Sequence, residues 1–85
     1  MNEVQKEIVL PSGGFAAFKR PYALDLIESY SDNMMRLGAN LATRIMTIDG
    51  ERVTLDQVEA MSADDFFAVF AIVVDMLPHA GRGIA

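Results

Sequence analysis

With 85 residues and no cysteine, the chain has room for one hydrophobic core and no disulfide or thiolate metal site to reinforce it, so about 3–5 kcal/mol of net stability is expected without self-association. Its 52% hydrophobic and 22% charged residues exclude an intrinsically disordered chain and supply more apolar surface than one small core hides. The net charge is −5, and Lys6, Lys19, Arg20, Arg36, Arg44, Arg52 and Arg82 form no basic stripe, which argues against nucleic acid as a partner.

Taken in chain order, residues 1–10 carry Glu3 and Glu7 where an export leader carries basic side chains, so a cytoplasmic location is expected. Segments 4–10 and 15–20 flank Pro11-Ser12-Gly13-Gly14, a cluster suited to a tight turn, and predict a β-hairpin over 4–20. The expected register sets Leu10 opposite Phe15, Val9 opposite Ala16, Ile8 opposite Ala17 and, unfavourably, Lys6 opposite Lys19. Pro21 ends the second strand.

From Ala23 the pattern turns helical. Ile27, Tyr30, Met34, Leu37, Leu41, Ile45 and Ile48 recur at spacings of three and four, which predicts one helix over 23–47. Ser29, Ser31, Asp32 and Asn33 interrupt it with residues that prefer caps, so the alternative is two helices, with Ser31 or Asp32 capping the second. The unbroken phase of the stripe favours the continuous helix. Asp49-Gly50 stops it, and 51–53 form an extended connector.

Thr54 and Gln57 form a capping box that opens a short helix to about Met61. Ser62-Ala63-Asp64-Asp65 opens the last helix, with carboxylates in its first turn and Pro78 ending it after Leu77. Its longest nearly apolar run, 66–74, is about half of the ~20 residues a membrane-spanning helix needs, so no membrane role is expected. Residues 79–85 have no periodicity and read as a disordered tail. The expected fold is therefore α+β and helix-dominated: one domain over 1–78, with an N-terminal hairpin followed by three or four helices in 22–77.

No constellation for catalysis emerges. His79 is the single histidine and has no second ligand at a suitable spacing, and Ser12, Ser29, Ser31 and Ser62 lack a positioned base. Aligning Gly50 with the turn glycine of a calcium loop puts Ile45 and Thr47 where oxygen ligands belong. Pro-Ser-Gly-Gly lacks the Lys-Ser/Thr of a phosphate loop, and no serine follows an aspartate as a carrier-protein attachment site requires. The expectation is a binding protein without catalytic residues, metal or cofactor.

That leaves surface. Apolar residues wrap most of the last helix, so one face can serve the fold and another a partner. The expected protein interface is Phe66, Phe67, Phe70, Val73 and Val74, with Met34 and Met35 as adaptable secondary contacts. Self-association is expected too: the second expectation, compatible with the first, is a structural or regulatory homo-oligomer with Ile27, Tyr30, Met34, Leu37 and Leu41 as its seam.

Ile8-Val9-Leu10-Pro11-Ser12-Gly13-Gly14, Phe18-Lys19-Arg20-Pro21, Asp49-Gly50-Glu51-Arg52-Val53-Thr54 and a closing helix led by Ser62-Ala63-Asp64-Asp65 appear in that order. The pattern resembles the tail assembly chaperones of Mu-like and related tailed bacteriophages, over about residues 7–77. In that family a hairpin with a Leu-Pro-Ser/Asp-Gly turn precedes helices, a short Asp-Gly segment and a closing helix with an early aspartate. The resemblance implies a non-catalytic chaperone in the host cytoplasm that coats the helical tape-measure protein, with the tail-tube protein as a further partner.

Overall fold

The computed structural model describes residues 4–77. Strands β1 (Val4–Val9) and β2 (Phe15–Lys19) precede helices α1 (Ala23–Ser29) and α2 (Met34–Ile45), strands β3 (Met46–Ile48) and β4 (Glu51–Arg52), and helices α3 (Leu55–Glu59) and α4 (Ala63–Met76). The strands form an antiparallel sheet in the order β1-β2-β3-β4. Helix α2 is the hub, touching α1, α3 and α4. The fold is α+β with a leading hairpin. The segment 79–85, including His79, lies outside the described residues.

The hairpin turn is tighter than expected. The Leu10 N–H donates to the Gly14 carbonyl at 2.7 Å and the Gly13 N–H to the Leu10 carbonyl at 2.8 Å. Gly13 takes φ +109°, a conformation that side chains disfavour. Pro11, Ser12 and Gly13 alone make the connection, a type of closure common in hairpins. The register therefore differs from the expected one: Val9 faces Phe15, Ile8 faces Ala16, Glu7 faces Ala17, and Lys6 meets Phe18 instead of Lys19. A one-residue shift of this kind turns the side chains of one strand to the other face relative to its partner. It puts Ile8 beside buried Ala16 and leaves Val9 and Phe15 together on the open side of the sheet.

The 23–47 helix is broken, as the alternative had it, but by a different cap. Asn33 accepts the Arg36 N–H at 3.0 Å through its side chain, and the Ser31 hydroxyl accepts the Asn33 N–H at 3.1 Å. These short polar groups satisfy backbone donors locally, so ending one helix and starting another costs little. Helix α2 also stops earlier than expected, at Ile45. Met46, Thr47 and Ile48 leave it directly as a strand and pair with Phe18, Ala17 and Ala16. Asp49 (φ 52°) and Gly50 (φ 85°) then form a two-residue turn with both residues at positive φ, and 51–52 return as a strand beside β3.

One core lies between the inner sheet face and the helices. Phe18, Ala16 and Met46 from the sheet meet Leu41, Ala42 and Ile45 of α2, Val58 of α3, and Val69 and Val73 of α4. Two buried carboxyls tie separate elements to it. Asp65 accepts the Ser12 N–H at 3.0 Å and the Ser12 hydroxyl at 2.5 Å, joining the hairpin turn to the first turn of α4. Asp25 accepts the Tyr22 N–H at 2.8 Å and the Arg44 guanidinium at 2.9 Å, joining α1 to α2.

Both contacts give testable outcomes. Asp65→Ala removes both bonds to Ser12 at a buried site and is expected to cost about 2–3 kcal/mol in urea denaturation; Ser12→Ala costs less, because its backbone bond survives. Burial by itself disfavours the charged form of Asp25, but the Tyr22 N–H, the Arg44 guanidinium and the charge of Lys19 outweigh it and hold the carboxyl below its usual value. A folded value below the unfolded one of about 3.9 adds stability that is complete at neutral pH and fades as pH falls below about 4. Asp25→Asn should therefore lower the denaturation midpoint at pH 7, with a gap to the parent protein that narrows in acid.

Candidate protein-interaction surface

Helix α4 sets the surface. The Ser62 hydroxyl accepts the Asp65 N–H at 3.1 Å and fixes where the helix begins. Asp65, Val69 and Val73 follow at intervals of four and are buried, so this side faces the core. Phe67 and Ala71 fall on the opposite side, and Phe67 is 66% exposed. Phe66, Phe70 and Val74 are half-buried between the two. The Phe66 and Phe70 rings stack with centroids 5.9 Å apart.

Helix α2 approaches closely beside them. A Cβ at Gly38 would lie 2.5 Å from Cδ1 of Phe70, so the ring rests on bare backbone. Met34 and Met35 stand one turn before Gly38 and Ala39, extend the inward stripe of α2 past the end of the core, and are 52% and 51% exposed. Between α2, α3 and the start of α4 runs an open groove of about 570 Å³. Met35, Ala39, Val58, Met61, Ala63 and Phe66 line it, with Asn33, Arg36 and Glu59 as its polar members. Arg36 and Glu59 pair at 2.6 Å and join α2 to α3.

The expected interface residues thus separate. Phe66 and Met35 meet in the groove, Phe67 and Met34 are exposed, and Phe70 and Val74 are half-covered at the flank of α4. Val73 is corrected to a core residue: it is wholly buried, because it lies one turn beyond Val69 on the inward side. The expected self-association seam is divided as well. Leu41 is wholly buried and Leu37 half-buried, whereas Ile27 (69% exposed) and Tyr30 are on the outside of α1 with Leu24. The sequence reading missed Leu24, although it stands three residues before Ile27. It also missed Val58 and Met61, whose spacing of three puts both on one side of a short helical segment.

This surface offers contact chemistry: aromatic rings, thioethers and a charged rim. Among the described residues, no group of three or more His, Cys, Asp or Glu side chains could hold a metal ion. No helix among them is long and apolar enough to cross a membrane.

Gly38 provides a test of the packing. In an exposed helix Gly→Ala gains up to about 1 kcal/mol. Here Gly38→Ala must drive the Phe70 ring aside and is expected to lose about 1–3 kcal/mol in chemical denaturation. In a Phe70→Ala background the same exchange should turn stabilising; a gain in the parent protein would contradict the close contact. No family model matches the chain, and no curated protein or solved structure matches it either.

Proposed function

We propose that the protein is a non-catalytic assembly chaperone of the tailed-phage type, which binds the helical tape-measure protein in the host cytoplasm and keeps it soluble until tail-tube subunits enclose it. The observation that carries this reading is the aromatic and methionine surface left open by α4 and the start of α2, centred on Phe67, Met34, Met35 and the groove beside Phe66. A tape-measure helix presents apolar anchors at spacings of three and four, and an apolar groove accepts such anchors without demanding one sequence. Methionine side chains re-pack at little cost, which suits a client whose stripe varies along its length.

The Leu-Pro-Ser-Gly turn and the aspartate at the start of the closing helix, two of the segments on which the resemblance rests, meet through the bonds from Ser12 to Asp65. Pairing of the motif residues gives both a common structural purpose.

Self-association is a compatible second reading, favoured by the outer side of α1, where Leu24, Ile27 and Tyr30 are exposed together. Ile27→Glu would then abolish any growth of mass with concentration in light scattering, without affecting client binding.

Co-expression with a tape-measure protein tests the main reading. The soluble fraction of the client should rise and the two should co-elute; Phe67→Glu, on the exposed side of α4, should remove both effects while leaving the circular dichroism spectrum unchanged and the denaturation midpoint little altered. A client whose solubility is indifferent to the protein would overturn the proposal.

A further inference from the structure

We propose that one end of the sheet binds a phosphate-type dianion between Lys19, Arg44 and Arg52. The site goes beyond the client-binding reading, since it shares no lining residue with the groove between α2, α3 and α4. Strand β2 ends at Lys19, α2 ends one residue after Arg44, and β4 ends at Arg52. Three segments distant in sequence thus deliver a cation each to one cleft of about 130 Å³. Thr47, on the strand between Lys19 and Arg52, lines it too and offers a hydroxyl that can donate to an anion. Among the described residues no carboxylate lines the cleft.

The fold does not account for these charges. The chain as a whole carries −5, and setting like charges beside one another costs energy unless a counter-charge offsets it. Arg44 has a structural partner, because its Nε donates to Asp25 at 2.9 Å. Lys19 and Arg52 have no ion pair among the described residues. Glu7 stands opposite Ala17 in the sheet and does not line the cleft. Three cations less the Asp25 carboxylate leave a surplus of two positive charges, which one dianion neutralises. Guanidinium and ammonium groups make their strongest hydrogen bonds to such oxyanions. The volume is below the ~300–1,000 Å³ of sites that enclose drug-sized ligands, so the cleft suits a single phosphate group and not a whole nucleotide.

Inorganic phosphate titrated into the full chain, with chloride keeping the ionic strength constant, tests this through amide chemical shifts. Saturating shifts are expected around Lys19, Arg44, Thr47 and Arg52. Lys19→Gln and Arg52→Gln should each weaken binding about tenfold, since each removes a charged donor. Arg20→Gln removes the same charge from a neighbouring cleft, and should change affinity less than about twofold where salt screens distant charges. Methyl phosphate separates the sources of the anion: equal binding extends the site to phosphate carried on a larger molecule, and binding of inorganic phosphate alone confines it to the free ion. No shifts, shifts that never saturate, or equal weakening by Arg20→Gln and Arg52→Gln would mean an adventitious ion only and overturn the proposal. Binding that emerges only in Glu3→Gln would give the cleft to the chain's own carboxylate and overturn it as well.

Discussion

The contact between Asp65 and Ser12 determines much of what the molecule presents to its surroundings. A two-stranded hairpin is marginal by itself and must be held against something. Here its turn is held by a carboxyl from a helix 53 residues further along the chain, through one backbone and one hydroxyl donor. The same carboxyl fixes the rotation of α4. Once Asp65 points at the turn, Val69 and Val73 must follow it inward, and Phe67 and Ala71 are left outside. A helix apolar nearly all round has no strong preference of its own for one side. The polar contact supplies the preference, and the exposed aromatic surface is its consequence.

A similar economy governs the sheet. The last residues of the 34–48 segment become a third strand without any intervening loop, so the hub helix and the centre of the sheet are covalently adjacent. Asp49 then closes the sheet's far corner: its side chain accepts the Phe15 N–H at 3.0 Å and its own N–H donates to the Phe15 carbonyl at 2.8 Å. Buried carboxyls and short turns take the place of disulfides in a chain that has none. They hold four short strands and four short helices on a core of few large side chains, with Phe18, Leu41 and Met46 the largest of those fully enclosed.

The parts legible in the sequence are those decided by local chemistry. The Thr54–Gln57 capping box, the Ser62 cap and the end of α4 before Pro78 all follow from side chains within a few residues of one another. The hairpin was legible in place but not in register, because Pro-Ser-Gly-Gly supports either a three-residue or a four-residue loop and the choice moves every pair. The third strand was hidden because Ile48 stands three residues after Ile45 and continues a helical phase; only its partner β2, distant in sequence, reveals it as a strand. Asp49-Gly50 signalled a helix stop and a two-residue hairpin equally, and the second reading needed β3 to be recognised first. In the candidate surface, periodicity could not separate Val73 from Phe67. The distinction came from Asp65, whose neighbour Asp64 faces solvent while Asp65 itself is buried.

Exposed aromatic surface in so small a protein invites copies to coalesce, and parts of the structure work against that. The charge distribution supplies one restraint, since Asp64 is exposed beside the open side of α4, whereas Asp75 further along is paired with Lys6 at 3.9 Å. The sheet supplies another at β1, an edge strand whose unpaired backbone invites a neighbour. Two copies can join there antiparallel about a twofold axis perpendicular to the sheet, which keeps each residue on its own face and sets like positions near the centre against each other. A pairing centred on this strand places Lys6 against Lys6 or Glu7 against Glu7. The edge is thereby disfavoured for self-recognition, which leaves the apolar side of α4 and the groove beside it as the larger exposed contact area.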